Sequence, residues 1–407
     1  MIHAPLVQTS WLSRAGFAPA KTAPRGDTLV VIFLRGAADG LNMVVPHGDA
    51  AYYPLRPTLA IPRPDDARSP LDQRAINLDG FFGLHPALRS LLPAWQEGSL
   101  AIVQACGAPD ESRSHFKAQE LIERGVPDES GPASGWIGRL LAQRAGDTAA
   151  ALRGVGVGQL PQRSLSGQVP VTALRSISDF HFGGDSRSTA LFQKALDRLY
   201  AGGDPLSRQG LDTLAMMRTL EPFDPLRYQP ASGTRYPESE FGQGLKQLAM
   251  LVKADVGLEA AALDLGGWDT HFAQGASSGQ MARLVEELGS GLAAFYSDCH
   301  AAMNHISIVV MTEFGRRAAE NGSLGTDHGH GSAMLLLGGA VNGGKVYGRW
   351  PGLSPNALVG PGDLAVTTDY RDVLAEVCFR RMQVVDTSVI FPGYQPQILN
   401  IIKQKGI

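Results

Sequence analysis

The sequence predicts an α/β fold built on a mostly parallel central sheet. Two runs, residues 29–34 and 306–311, are almost wholly apolar and rich in β-branched side chains, as in strands covered on both faces. Each run ends abruptly in a polar segment that contains glycine, which is typical of the turn after a buried strand. A long amphipathic helix is indicated over residues 281–295 and leads back to the second run.

Length and composition limit the classes of fold and function that the chain can have. With 407 residues, 44% hydrophobic and 18% charged, the chain can bury a large core, as one α/β domain with insertions or as two domains. A net charge of -3 argues against a dedicated nucleic-acid binder. No run approaches the roughly 18 apolar residues that a membrane helix requires. Three widely spaced cysteines indicate neither a disulfide framework nor a zinc knuckle, and we expect buried thiols at Cys106, Cys299 and Cys378.

Two segments stand apart from the main domain, residues 28–407. Residues 1–27 are rich in Ala, Pro and Ser and show neither a twin arginine nor an apolar h-region, which predicts a tail. The tail is either the remnant of a processed signal or the result of a different start codon. Residues from about 128 to 255 hold few strong strands and several amphipathic helices, which predicts a helical insertion. As a cap, such an insertion would shape substrate entry and exclude water.

Acids and imidazoles recur where the predicted strands end. Because ligands bind at the carboxyl edge of the strands in open parallel sheets, we expect these side chains to line one shared pocket, and carboxylates and imidazoles are metal donors. The local alternatives are that Asp39 caps a turn or helix, and that Asp269 caps its turn while His271 is exposed. The recurring residues are Asp39, Ser114, His115, Asp269, His271, Glu313, Asp327, His328 and His330.

Two serines open a predicted helix that ends near Gly125. At a helix N-terminus the unpaired N–H groups and the positive dipole end favour an anion and help a hydroxyl to ionise. Ser114 is therefore a candidate nucleophile. Ser112 is either a second candidate or simply the N-cap.

Seven motifs in this order resemble those of the bacterial domain-of-unknown-function 1501 family, within the alkaline phosphatase and sulfatase-like superfamily. They cover nearly the whole chain from Leu29 onward. The motifs are FLRGAADGLN, YYPLRPTLAI, GLHPAL, SRSHFKAQELIERG, GGWDTH, TEFGR and GTDHGHG.

The resemblance implies a three-layer α/β sandwich with a metal centre at the strand edge and substrates that carry phosphate or sulfate esters. The superfamily's nucleophile stands near the start of a helix, which matches Ser114, with His115 beside it. Its acid ligand after the first strand matches Asp39, and its aspartate–histidine pair matches Asp269 and His271. Where the superfamily has Asp-His-Gly, this chain has Glu-Phe-Gly at residues 313–315, so one histidine ligand is missing.

The leading hypothesis is a metal-dependent hydrolase holding one or two divalent ions, Zn, Mn, Mg or Ca, and acting on a small anionic ester or a sulfated or phosphorylated polymer. Such an ion polarises the ester oxygen and lowers the pKa of a hydroxyl. His328 and His330 act as ligand or general acid. The predicted metal ligands are Asp39, Asp269, His271, Glu313, Asp327 and His328; the predicted catalytic set is Ser114, His115 and His330; the predicted anion-binding set is Arg35, Asn42, Arg113 and Arg316.

Other readings of the same residues remain open. The arginines are either anion clamps or solvated surface side chains. The protein is alternatively a non-catalytic accessory protein on the same fold, with a protein partner, or a metal-dependent transfer or redox enzyme. Family resemblance implies export to the periplasm.

Overall fold

The structure is a computed structural model that describes residues 27–144, 152–182 and 186–404. Twelve strands are described, nine of them in one central sheet and three in a small antiparallel sheet formed by β2, β3 and β4. In chain order the strands are β1 (Thr28–Leu34), β2 (Val44–Val45), β3 (Ile76–Asn77), β4 (Gly83–Leu84), β5 (Leu100–Gly107), β6 (Gly154–Val157), β7 (Thr172–Leu174), β8 (Ala260–Leu265), β9 (Ile306–Thr312), β10 (Ser332–Leu337), β11 (Lys345–Tyr347) and β12 (Thr368–Asp369).

The central sheet runs in the order β11-β5-β10-β9-β1-β8-β6-β7, and β12 also pairs with β5. Among the described strands of this central sheet, only β10 is antiparallel to its neighbours. The predicted mostly parallel sheet is therefore confirmed.

Helices cover both faces of this sheet. Those of ten or more residues, together with α5, carry most of the helical packing, and short 3₁₀ turns join several elements. The α-helices are α1 (Gly40–Met43), α2 (Tyr52–Leu55), α3 (Leu92–Gln96), α4 (His115–Arg124), α5 (Trp136–Gln143), α6 (Ser186–Leu199), α7 (Pro205–Leu220), α8 (Glu240–Lys253), α9 (Gln280–Asp298) and α10 (Tyr370–Arg380).

The side chains of β1 show why the sheet forms a middle layer. Alternate residues of a strand point to opposite faces. Val30 and Ile32 belong to one buried cluster with residues of α8 and α9, whereas Val31 and Phe33 belong to another with residues of α5 and α10. Each such side chain contributes on the order of 1.5–3 kcal/mol when fully buried. Two apolar layers on one sheet give the three-layer sandwich that the sequence predicts.

The segment predicted as a helical insertion, about 128–255, also extends the central sheet. It supplies β6 and β7 at one end of the sheet, and α8 packs its buried face into the core. Its helices α6 and α7 are largely exposed. Its function as a cap stays a prediction. The predicted N-terminal tail falls, apart from residue 27, outside the described residues.

Residues 46–80, whose lack of periodicity predicts a long surface loop, are partly buried instead. Tyr52, Arg56 and Ile61 have no exposed surface. The Tyr52 hydroxyl donates a hydrogen bond to Asn42 and accepts one from the Ile61 N–H, so this segment is fixed against the residues after β1. A buried irregular segment gives no periodic signal, because its contacts follow no regular spacing.

One edge of the sheet collects the loops that carry the candidate residues. The loops after β1, β5, β8 and β9 all leave at the carboxyl edge. The loop before β10 reaches the same edge because this strand runs in the opposite direction. His328 and His330 therefore approach the loops after β8 and β9, although they precede a strand rather than follow one.

Two further sequence expectations have structural counterparts. All three cysteines are free and buried. Within residues 27–144, 152–182 and 186–404, no helix combines the length and hydropathy needed to cross a lipid bilayer.

The buried histidine His85 is expected to make the stability of the fold depend on pH. Its ring is fully buried; Nδ1 accepts a hydrogen bond from the Ala87 N–H, and Nε2 lies 3.0 Å from the Ala276 carbonyl. Burial lowers the pKa of His85 from 6.5 to about 4. Between these two values the unfolded chain binds more protons than the folded chain, so the His85 contribution to stability is complete above pH 6.5 and is lost as pH falls toward 4.

We expect His85→Asn, which keeps an N-cap acceptor, to flatten the fall in unfolding free energy between pH 6.5 and 4 by up to about 1.4 kcal/mol per pH unit. Denaturant titrations in EDTA at several pH values measure the slope. His300→Asn, at an exposed position, is the control. Equal slopes for wild type and His85→Asn would contradict the linkage.

Candidate metal centre

Three imidazoles converge on one carboxylate oxygen at the carboxyl edge of the sheet. Oδ1 of Asp269 lies 3.1 Å from Nε2 of His271, 3.1 Å from Nε2 of His328 and 3.4 Å from Nε2 of His115. His115 begins α4, Asp269 and His271 follow β8, and His328 precedes β10. We call these four residues the metal cluster.

The other ring nitrogen of each histidine has its own partner. Nδ1 of His115 lies 2.8 Å from Oε1 of Glu313, Nδ1 of His271 lies 3.3 Å from Oδ1 of Asp327, and Nδ1 of His328 lies 2.9 Å from the Arg113 carbonyl. In metal sites such partners hold the proton on Nδ1 and leave Nε2 free to bind the ion. Glu313 and Asp327, both predicted ligands, thus contact imidazoles of the cluster from behind.

The His328 ring presents an unprotonated nitrogen to the other donors of the cluster. A carbonyl oxygen only accepts hydrogen bonds, so Nδ1 of His328 carries the proton. Burial lowers the pKa of His328, which favours the neutral ring with a lone pair on Nε2. That nitrogen faces the Asp269 carboxylate and also lies 2.9 Å from Nε2 of His271. Acceptors opposed at this distance repel one another unless a proton or a metal ion lies between them.

The donor set also fits an ion in size. Metal–nitrogen bonds of about 2.0–2.1 Å at tetrahedral angles place neighbouring donors about 3.3 Å apart. The distances from Asp269 to the three imidazoles, and the distance between His271 and His328, range from 2.9 to 3.4 Å. Nε2 of His115 is buried and has no hydrogen-bond partner within the described chain. A buried polar atom without a partner is costly, and an ion would satisfy it.

His271 lies on the open side of the cluster. His115, Asp269 and His328 offer donor atoms that all lie within 4.8 Å of one another, and His271 is outside this group of three. The side chain of His271 is 41% exposed, against 23% for His115 and 19% for His328. Solvent and small ligands can therefore reach the cluster from the His271 side.

The acids of the site are held in their charged forms. Burial acts to raise the pKa of Asp269, but the hydrogen bond and positive charge of Arg316, together with the neighbouring imidazoles, outweigh it and lower this pKa to about 2. For Glu313, hydrogen bonds from His115 and Gln119 likewise outweigh burial and lower the pKa to about 2. The hydrogen bond to Glu313 in turn raises the pKa of His115. Without an ion, a proton shared with His115 can offset the negative charge.

Arg316 binds the loops of the site together. Its guanidinium is fully buried and donates at 2.7 Å to Oδ1 of Asp269. Its remaining bonds go to backbone carbonyls at the ends of other strands, those of Gly36, Ala37, Trp268 and Thr326. Arg316 was expected to clamp a substrate anion, but these bonds employ Nε, Nη1 and Nη2. It therefore positions Asp269 and has no free face for a ligand.

The loops also approach one another closely at glycine. A Cβ atom added to Gly315 would lie 1.9 Å from the Gly331 carbonyl oxygen. Gly36 has a φ of +114°, and a Cβ there would lie 2.6 Å from the Asp269 nitrogen. Only glycine allows the backbones after β1, β8 and β9 to meet in this way.

Asp39 and Asn42 lie in a separate buried network. Asp39 pairs with Arg56 at 2.5 Å and accepts a hydrogen bond from Gln274 at 2.7 Å. Arg56 also donates to Asn42 and to the carbonyls of Arg317 and Ala318. Asp39 was expected beside the ion; its oxygens instead neutralise Arg56. Arg56 lies in a segment without periodicity, and no sequence signal singled it out.

The remaining predicted residues surround the cluster at different depths. Arg35 pairs with Glu123 at 2.8 Å and Asp264 at 3.0 Å rather than with a residue of the cluster. His330 holds the Ala108 carbonyl through Nε2 at 2.8 Å and makes no described contact with the cluster. Ser114 is the exposed N-cap of α4, and its hydroxyl does not cap the helix. Its neighbour Arg113 pairs with Asp363 and is 37% exposed.

Two residues of this site, His115 and Arg317, differ from what the sequence predicts. His115 was placed among catalytic residues, but the structure puts its Nε2 with the predicted ligands. Arg317 was not singled out, although its guanidinium lies 3.6 Å from Asp327 and is 36% exposed. Arg316 is fully buried and its neighbour Arg317 is partly exposed, and no local pattern distinguishes them.

The sheet order, its two covered faces and the polar cluster at its carboxyl edge define a three-layer α/β protein with a candidate metal centre. The model of the family described as "Protein of unknown function (DUF1501)" matches residues 27–390. The chain therefore belongs to this family, as its seven motifs predict. No curated protein sequence matched the chain.

Several solved structures share an overall similarity with the chain. The C-terminal periplasmic domain of EcEptC from Escherichia coli, in complex with Zn, has a TM-score of 0.39 at 9% identity, covering 92% of this chain and 89% of that one. The PsFucS1 sulfatase from Pseudoalteromonas sp. has a TM-score of 0.39 at 12% identity, covering 94% and 74%. The lipoteichoic acid synthase LtaP from Listeria monocytogenes has a TM-score of 0.35 at 8% identity, covering 92% and 74%.

The separation of Asp39 from the cluster leads to a contrast between two substitutions. We expect Asp269→Asn to abolish metal binding at this candidate centre, because it removes the only carboxylate among the converging donors. Asp39→Asn should keep the ion but lose about 3–5 kcal/mol of stability, because Arg56 is left buried and unpaired. Metal content by mass spectrometry and unfolding by denaturant measure the two effects.

The double variant Asp39→Asn/Arg56→Met is the control for folding, since it removes both charges. It should regain stability relative to Asp39→Asn and keep the ion. A folded Asp39 variant without the ion would place Asp39 among the ligands.

Proposed function

We propose that the protein is a metal-dependent hydrolase of phosphate or sulfate esters. The observation that carries the proposal is the convergence of three Nε2 atoms on Asp269, with the opposite ring nitrogens already held by Glu313, Asp327 and the Arg113 carbonyl. Such an arrangement is costly to build without an ion to bind. The resemblance to the alkaline phosphatase and sulfatase-like superfamily supports the choice of ester.

His115, Asp269 and His328 would hold the ion, and His271 would complete the set on the exposed side. Three imidazoles and one carboxylate suit zinc or another transition ion, whereas Mg²⁺ and Ca²⁺ take oxygen ligands. Of the ions considered from the sequence, we therefore propose zinc first and manganese second. When bound, the ion supplies polarisation of an ester oxygen and lowers the pKa of a hydroxyl or water.

The start of α4 would bind the anionic part of the substrate. The first N–H groups of a helix have no partner inside it, and the dipole favours negative charge there. Because α4 begins at His115, these groups lie beside the ion-binding atoms. Arg113 and Arg317, each about a third exposed, would add positive charge at the same place. Arg35 and Arg316 have other partners and would not take part.

Ser114 would act as the nucleophile. Its hydroxyl is exposed at the N-cap, is not engaged in capping, and adjoins His115 in sequence. Attack by its oxygen on phosphorus or sulfur would release the alcohol, and water would then hydrolyse the esterified serine. His330 would keep the loop before β10 in place through the Ala108 carbonyl rather than transfer a proton.

A second candidate is a non-catalytic binding protein on the same fold. It is favoured by Phe314, which occupies the position of the superfamily's histidine and stacks on His115 with ring centroids 5.1 Å apart. A second ion would lack that ligand. Periplasmic placement, which family resemblance alone supports, is part of the proposal and would be decided by fractionating cells that express the native gene.

Metal content and ester turnover test the proposed ion site. Purified protein should bind one zinc or manganese ion per chain and release phosphate or sulfate from simple esters, and His328→Ala should abolish both properties. His330→Ala, outside the cluster, is the matched control and should retain the ion. Elemental analysis and ester turnover measure the outcome; iron or copper with spectroscopic signals would point to redox chemistry instead.

The second prediction concerns the nucleophile. Ser114→Ala should lower kcat by at least about a thousandfold with unchanged metal content, because it removes the attacking oxygen. Ser112→Ala removes a neighbouring hydroxyl and should have little effect. Full turnover by Ser114→Ala would assign the attack to water. Metal-loaded wild type that turns over no ester would favour the binding protein.

A further inference from the structure

Two exposed phenylalanines directly follow histidines of the metal cluster. Phe116 comes after His115 and is 90% exposed; Phe272 comes after His271 and is 74% exposed. Large exposed apolar side chains include only four phenylalanines within the described residues, at positions 116, 192, 272 and 379. Half of them therefore adjoin the cluster, although it involves only four residues of the chain.

The backbone of both phenylalanines lies close to the cluster. Consecutive Cα atoms are about 3.8 Å apart, so each phenylalanine starts within one residue of a donor imidazole. The His271 side is the exposed side of the cluster, and His115 begins the helix whose N-terminus adjoins it. The two rings thus lie on separate elements, one on α4 and one on the loop after β8.

Leu324 adds a third apolar side chain to this region. It is 53% exposed, and its carbonyl accepts a hydrogen bond from the Gln274 N–H at 2.9 Å. The Ala273 N–H binds the Ser323 carbonyl at 3.0 Å, so the loop that carries Leu324 runs beside the loop that carries Phe272. The leucine has a φ of +58°, a conformation that these backbone bonds maintain.

We infer that Phe116 and Phe272 form an apolar rim that binds the alcohol part of the ester substrate. The inference rests on the proposed function and specifies its substrate class: phosphate or sulfate esters whose alcohol has a large apolar face, such as an aromatic ring. The anion enters between the cluster and the start of α4, and the alcohol then lies against exposed aromatic surface. Aromatic rings bind such faces by area burial and by stacking.

The test compares a phenyl ester with a methyl ester of the same acid on the zinc-loaded protein. Phe116→Ala and Phe272→Ala should each raise KM for phenyl phosphate or sulfate about tenfold, with little change for the methyl ester. Metal content should be unchanged. Phe192→Ala and Phe379→Ala, at exposed rings away from the cluster in sequence, are the matched controls and should behave as wild type.

Binding of phenylphosphonate and methylphosphonate, measured by calorimetry, separates the rim from the chemistry. If the zinc-loaded protein prefers phenylphosphonate and the rim variants lose that preference, the rim is supported even where no ester is turned over. Equal affinities for both phosphonates, or no binding of either, would overturn the inference. The inference would also be overturned if the rim variants kept the preference for phenyl compounds but no longer bound phospholipid vesicles or no longer self-associated. The two rings would then serve as a docking surface.

Discussion

The guanidinium of Arg316 is the contact on which the site depends. It follows β9, donates to carbonyls after β1 and β8 and before β10, and also holds Asp269. One buried cation thus donates hydrogen bonds to acceptors from three other strand ends, where buried carbonyls need donors. Because these bonds fix the loops together, Asp269 stands where the imidazoles converge. The remaining geometry of the cluster follows from that position.

The arrangement divides charged residues into two kinds. Asp39 and Arg56 neutralise each other's charge and leave no carboxylate oxygen for an ion. The hydrogen bonds of Arg56 connect a buried irregular segment to the loops after β1 and β9. The cluster around Asp269 is open on one side and has more acceptors than its own protons can satisfy. Burial alone does not separate a structural ion pair from a metal site. The direction of the unprotonated nitrogens does.

Much of this could be predicted from sequence because its signals are local. Apolar runs predict the buried strands, and the glycine-rich breaks predict where they end. The carboxyl-edge rule then correctly predicts that the loops with Asp269, His271 and His328 meet. What could not be predicted depends on partners far along the chain. Asp39 pairs with Arg56, and Glu313 contacts Nδ1 of His115. The donors of Arg316 bind backbone carbonyls that come together only in the folded loops.

The position of β10 has a consequence for how the protein matures. This strand lies between β5 and β9, and in the described sheet it alone connects β5, β11 and β12 to the other strands. His115 follows β5 on one side of this seam, whereas Asp269 and His271 follow β8 on the other. During synthesis the sheet cannot connect these two groups of strands until residue 337 has left the ribosome and β10 has been inserted. The four residues of the cluster therefore come together late, after about four-fifths of the polypeptide has been made.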